Sequence, residues 1–234
     1  MIIPSGIFKI DRALEGGIAT GCFTQVYGKA ASGKTTLALQ FVYATINLGF
    51  HTIYINTESS SPIERLEQIM GRKYDTFEQS IQIMIPKKFT EQGILIEDLQ
   101  LYLRPETKLI VIDTFTKLYR NSLGDKRTTY AAHRELNRQS GLLKGLARRK
   151  DVAILLLNQV RAAIDSSDEF EPVADNIMEY WSDFVVKMDL RVKRGERLLE
   201  LVHPEGGPSP QVLYLTPKGL STHPEDKDQH ESAR

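Results

Sequence analysis

The sequence predicts an α/β fold: a mostly parallel central sheet with helices on both faces and an antiparallel extension at its C-terminal end. Three observations carry that prediction. Strand-like and helix-like runs alternate from Cys22 to Leu157, the order that favours parallel pairing through helical crossovers. Two strand candidates, Leu109-Ile110-Val111-Ile112 and Ala153 to Leu157, are continuous apolar runs rather than alternating ones, as befits strands covered on both sides. From Asp183 onward, strands follow one another with no helix between them.

An entry segment, Ile7 to Leu14, precedes the turn Gly16-Gly17. Strands are expected over 22–27, 52–56, 81–85, 108–113 and 152–157, with helices over 34–48, 62–71, 90–103 and 129–149. In the first helix Leu37, Ala38, Phe41, Val42, Thr45 and Leu48 share one face, which marks it as core. Ser61-Pro62-Ile63-Glu64 reads as a helix start, with an N-cap serine, proline at the first position and a glutamate placed to complete a capping box. Phe184 to Arg191, Arg197 to His203 and Gln211 to Thr216 form the antiparallel extension, the first two joined around Arg194-Gly195. Residues 1–218 make one domain, and the polar stretch 219–234 an expected disordered tail.

Composition bounds the function classes. Thirty Lys plus Arg balance thirty Asp plus Glu, so any polyanion site must come from local clustering. Cys22 is the single cysteine, which excludes an intramolecular disulfide framework and suits a reducing, cytoplasmic setting. No leader or apolar run of membrane-spanning length is evident.

Gly28-Lys29-Ala30-Ala31-Ser32-Gly33-Lys34-Thr35 fits G-x-x-x-x-G-K-[ST] without a gap, between a strand and a helix. In that setting backbone N–H groups close around phosphate oxygens, Lys34 reaches the outer phosphates and Thr35 ligates Mg²⁺. Asp113, directly after Leu109 to Ile112, is the candidate second metal ligand. Glu58 follows the strand ending at Asn56, and Asn158-Gln159 follows Leu157. Carboxyl ends of strands form the ligand crevice of an open α/β sheet, so Glu58 is the candidate base and Gln159 the candidate sensor of the outer phosphate.

The ordered set GKAASGKTT, YINTES, PIERL, LIVIDT and LLLNQV resembles the RecA-type ATPase core of archaeal and eukaryotic recombinases, over about residues 4 to 218. The resemblance implies ATP and Mg²⁺ as cofactors, with the loop Gly28 to Thr35 and Thr36 on the nucleotide, Thr35 and Asp113 on the metal, and Glu58 and Gln159 as catalytic residues. It also implies Arg65 against adenine and Tyr119 to Arg127 as a first DNA-binding loop, with Arg120, Lys126, Arg127 and Arg161 as DNA contacts. Tyr119 and Tyr130 would stack on bases. Lys117 to Lys150 carries ten Lys/Arg against two acids, whereas Arg161 to Asp183 carries seven acids against one arginine. The first run suits salt-dependent, sequence-independent binding to single-stranded DNA; the second repels a DNA backbone and suits a protein-facing flap bearing Phe170, Tyr180 and Trp181.

Full-length recombinases of this kind carry an N-terminal DNA-binding domain and a linker Phe-x-x-Ala motif, neither of which is found in these residues. Phe41-Val42-Tyr43-Ala44 spells the motif but lies on the apolar face of a helix. His203-Pro204 stands where the resemblance leads one to expect an acidic residue capping a neighbour's ATP. The expectation is therefore a weak Mg-dependent ATPase that binds ATP and DNA and assists recombination and repair, as a homodimer rather than a filament, with a recombinase or junction nuclease as protein partner. The rivals are a fully active strand-exchange recombinase and an ATP-binding adaptor that binds no DNA.

Overall fold

Side chains alternate across the central strands, so each strand feeds two cores at once. A computed structural model describes residues 1–162 and 170–224, apart from the side chains of residues 161, 162, 170 and 171. In chain order its elements are β1 (Ile2–Ile3), α1 (Phe8–Ala13), β2 (Ile18–Ala19), β3 (Phe23–Gly28), α2 (Lys34–Asn47), β4 (His51–Asn56), α3 (Ile63–Met70) and β5 (Ile81–Met84). They continue with α4 (Phe89–Glu97), α5 (Leu99–Tyr102), β6 (Thr107–Asp113), α6 (Lys117–Asn121), α7 (Lys126–Lys150), β7 (Ala153–Ala162), β8 (Phe170–Pro172) and α8 (Asp175–Trp181). The C-terminal strands are β9 (Phe184–Leu190), β10 (Glu196–His203), β11 (Gln211–Thr216) and β12 (Gly219–Ser221).

The sheet runs β5-β4-β6-β7-β3-β9-β10-β11-β12, with β8 paired to β7 off that path. All neighbours from β5 to β9 are parallel. On one face Leu109, Val111, Leu155 and Leu157 pack with α2 residues Leu37, Phe41 and Val42. On the other, Ile110, Ile112, Ile154 and Leu156 pack with Leu136 and Leu143 of α7 and Met178 of α8. Phe41 is fully buried, so the Phe-x-x-A tetrapeptide is packing.

Several boundaries differ from the sequence expectation, each for a local reason. The 90–103 helix breaks at Asp98 into α4 and α5. The long basic helix begins at Lys126 rather than 129, because the carboxylate of Asp125 accepts the Thr128 N–H at 2.8 Å and caps it. At the start of α3 the capping box does not form among the described residues: the helix begins at Ile63 with Pro62 at its N-cap and no side-chain cap, and Ser61 Oγ instead accepts the Ile63 N–H two residues on, at 3.3 Å. β9 is parallel to β3, so the antiparallel extension starts one strand later than expected, at β10. The strand β12, paired with β11, lies beyond the expected domain end at 218, while residues 225–234 of the expected tail lie outside the described residues.

Candidate nucleotide site

Parallel pairing of β3, β4, β6 and β7 brings their carboxyl ends to one rim, and the phosphate-loop motif leaves β3 there. Gly28 ends β3 against β9: a Cβ on it would lie 2.0 Å from the Met188 carbonyl oxygen and 2.9 Å from Ser32 Oγ, so no larger residue fits. Gly33, with φ 100°, turns the chain into α2 from the left-handed region. The first N–H groups of that helix have no intrahelical acceptor and open the loop to an anion. Lys34 is nearly buried, and its ammonium donates to the carbonyls of Gly28 at 2.9 Å and Lys29 at 2.8 Å. Burial lowers its pKa, with the charges of Asp113 and Glu58 opposing.

Asp113 is 3% exposed. Its Oδ2 accepts from Tyr54 Oη at 2.7 Å and Thr35 Oγ1 at 2.9 Å. Burial raises its pKa, and those two hydrogen bonds pull the other way. Its Oδ1 and the hydroxyl of Ser32 are buried without a partner among the described residues. These orphaned oxygens, beside the Thr35 hydroxyl, are a test of fit for Mg²⁺ with a triphosphate, and the residues pass it. Mg²⁺ is commonly held by one or two protein oxygens plus phosphate, and no cluster of three or more His, Cys, Asp or Glu offers a protein-only cage among the described residues.

Glu58 lies two residues beyond β4. Its Oε1 accepts from Thr114 Oγ1 at 3.0 Å and Gln159 Nε2 at 3.3 Å, and its Oε2 accepts from Lys117 Nζ at 2.7 Å. Gln159 lies inside β7 rather than at its end. Its Oε1 accepts from Arg120 Nη1 at 2.7 Å. Gly28, Lys34, Thr35, Glu58, Asp113 and Gln159 all line one cleft of about 450 Å³, as does Arg120.

Arg65 of α3 is tied to the end of β11. Its guanidinium donates to the carbonyls of Thr216 and Pro217, each at 2.7 Å, and to Gln68 Oε1 at 2.9 Å, beside an adjoining cleft that shares Thr35, Glu58 and Asp113.

The expected DNA contacts separate. Arg120 is committed to Gln159 in the nucleotide cleft, while Lys126 and Arg127 stand exposed on the first turn of α7. Cations at a helix N-terminus oppose its dipole, so helix stability does not account for them there. The Arg161 side chain lies outside the described residues. Tyr119 is 2% exposed, with its hydroxyl on the His133 ring, so it cannot stack on bases; Tyr130, 70% exposed, can. Within the acidic stretch, residues 163–169 lie outside the description. Trp181 packs on Gly141 and donates to Asn137 Oδ1 at 2.8 Å, whereas Tyr180 is exposed.

Sequence reasoning missed four residues. Tyr54 and Thr114 hold the two carboxylates. Lys117 pairs with Glu58; its position four residues after Asp113 was the available signal. Arg197 of β10 is buried against Gly33 with its Nε unpartnered among the described residues, and a pattern of single strands gives no hint of it.

A family model described as Rad51 matches residues 1–216. The DNA repair and recombination protein RadB of Methanosphaera stadtmanae is 33% identical over 204 residues, 86% of each chain. That of Archaeoglobus fulgidus is 35% identical over 190 residues, 81% of this chain and 84% of its own. A crystal structure of the RadB recombinase superposes with a TM-score of 0.79 at 28% identity, covering 94% of this chain and 99% of that one.

Proposed function

The chain belongs to the Rad51 family and, within it, to the RadB group; on that premise we propose an ATP- and DNA-binding accessory protein of homologous recombination and repair. It hydrolyses ATP slowly and performs little or no strand exchange of its own. The observation that carries this reading is the meeting of Lys34, Thr35, Asp113, Glu58 and Gln159 around one cleft at the rim of the sheet.

ATP is gripped by the backbone N–H groups of residues 28–35 and by Lys34, whose ammonium exchanges its two carbonyl partners for phosphate oxygens. Mg²⁺, held by Thr35 and Asp113, supplies positive charge to the outer phosphates when bound. In hydrolysis a water oxygen bonds to the γ-phosphorus, its proton passes to Glu58, and the bond to the bridging oxygen breaks with its electron pair leaving on ADP. Gln159, bonded to Glu58 and Arg120, can hydrogen-bond the γ-phosphate and so report its presence, which makes ATP chiefly a conformational ligand.

DNA binding rests on Lys126 and Arg127, two exposed cations with no ion pair among the described residues. Seven acids between residues 161 and 183 argue against a second DNA-gripping loop and hence against strand exchange; they favour a protein partner such as a recombinase or junction-processing nuclease. A cytoplasmic homodimer is the expected setting.

Titrating single-stranded DNA and ATP separately tests the reading. Lys34→Ala should lose ATP and keep DNA; wild-type chain that binds no single-stranded DNA would leave only an ATP-binding adaptor, and DNA binding without salt dependence would remove Lys126 and Arg127 as phosphate contacts.

A further inference from the structure

We propose that Lys117 is a positioning residue that masks Glu58 and thereby sets a slow rate of ATP hydrolysis; this rests on the ATPase reading above. A general base must accept a hydrogen bond from the water it deprotonates. Three of the roughly four acceptor sites of Glu58 are taken: Oε2 accepts from the Lys117 ammonium at 2.7 Å, Oε1 from Thr114 Oγ1 at 3.0 Å and Gln159 Nε2 at 3.3 Å. The bond from Lys117 is charge-assisted and the strongest of the three, so the water must displace Lys117 or share Oε2 with its ammonium.

The brake is built into one short helix. Lys117 opens α6 and Arg120, three residues on, holds Gln159. Lys117, Glu58, Gln159 and Arg120 thus form a continuous chain of hydrogen bonds anchored at both ends on the same helix, and the last three line the cleft. The side chains of Lys117 and Glu58 are 28% and 30% exposed, which leaves the pair open to water and able to part without unfolding anything. In such a position an ion pair is worth a several-fold change in a rate, not orders of magnitude.

The ammonium has one other chemical use: left on the γ-phosphate, it would stabilise the transition state, as cations at such sites do. The two roles predict opposite signs. Masking predicts that neutral Lys117→Met raises kcat by roughly two- to fivefold with KM for ATP changed less than about twofold. Lys117→Arg, which restores a cation, stays near the wild-type rate, and adding Glu58→Gln to Lys117→Met abolishes the gain. Lys117→Gln, neutral and more polar, is measured beside Lys117→Met so that one misfolded variant does not decide the matter. An unchanged or lower kcat in the neutral variants overturns the proposal. Binding of a fluorescent ATP analogue with Mg²⁺ is measured on every variant: wild-type chain that binds none would overturn the ATPase reading together with the brake, whereas normal binding with no gain in kcat removes the brake alone.

Discussion

Removing one hydroxyl, in Tyr54→Phe, tests how the fold holds a buried carboxylate at the nucleotide rim. Tyr54 is fully buried and its hydroxyl donates to Asp113 Oδ2 at 2.7 Å. Asp113 has only one other donor, Thr35, and its Oδ1 is unpartnered among the described residues, so no neighbour takes over the lost bond. A hydrogen bond to a charged acceptor contributes about 1.5–3 kcal/mol, which for a domain of this size lowers the melting temperature by roughly 3–12 °C. Burial raises the pKa of Asp113 in the folded state. The folded chain therefore binds more protons than the unfolded one between the ordinary carboxylate range and that raised value, and the contribution of Asp113 falls as pH rises through it. Loss of Tyr54 Oη raises the folded pKa further, so the deficit of the variant is full at neutral pH and shrinks as Asp113 protonates. Thermal melts followed by circular dichroism at about pH 7.5 and about pH 5 read both effects. Equal melting temperatures at neutral pH, or a gap that widens on acidification, would refute the reasoning.

Gly28→Ala drives a Cβ to within 2.0 Å of the Met188 carbonyl oxygen; it should cost about 1–3 kcal/mol in denaturant unfolding and at least about tenfold in ATP affinity, since β3 and the loop must shift together. His51 is buried with Nδ1 on Thr107 Oγ1 and Nε2 unpartnered among the described residues, and burial lowers its pKa. Its contribution is therefore present above the ordinary imidazole value of about 6.5 and lost as pH falls below it; His51→Gln should flatten the stability profile in that window, and an unchanged profile would assign the acid sensitivity elsewhere. Lys126→Ala with Arg127→Ala should reduce the salt slope of single-stranded DNA binding by about 1.4, the value for two lost phosphate contacts; an unaltered slope would move the DNA site off the start of α7.

The part of the site legible in the sequence is the part fixed by strand ends. Lys34, Asp113 and Glu58 each follow an apolar run, and parallel pairing alone carries them to one rim. Gln159 was found by the same logic although its strand continues to Ala162, because pairing with β8 lengthens β7 beyond its apolar stretch. What stayed hidden depends on side-chain direction. Tyr54 alternates between Ile53 and Ile55 and looks like core, yet its ring reaches Asp113. Arg120 sits in a basic run that suggests DNA, and a single helical turn from Lys117 aims it at Gln159 instead. Tyr119 looked available for stacking, but α6 turns it inward onto His133. Composition and spacing carry no information on such rotations.

The most direct measurement is a crystal structure of the chain with Mg²⁺ and a non-hydrolysable ATP analogue. The account predicts the triphosphate cradled by residues 28–35, the metal between Thr35 and Asp113, and the γ-phosphate within hydrogen-bond reach of Gln159. A nucleotide bound elsewhere, or one whose outer phosphates point away from Glu58 and Asp113, would contradict it.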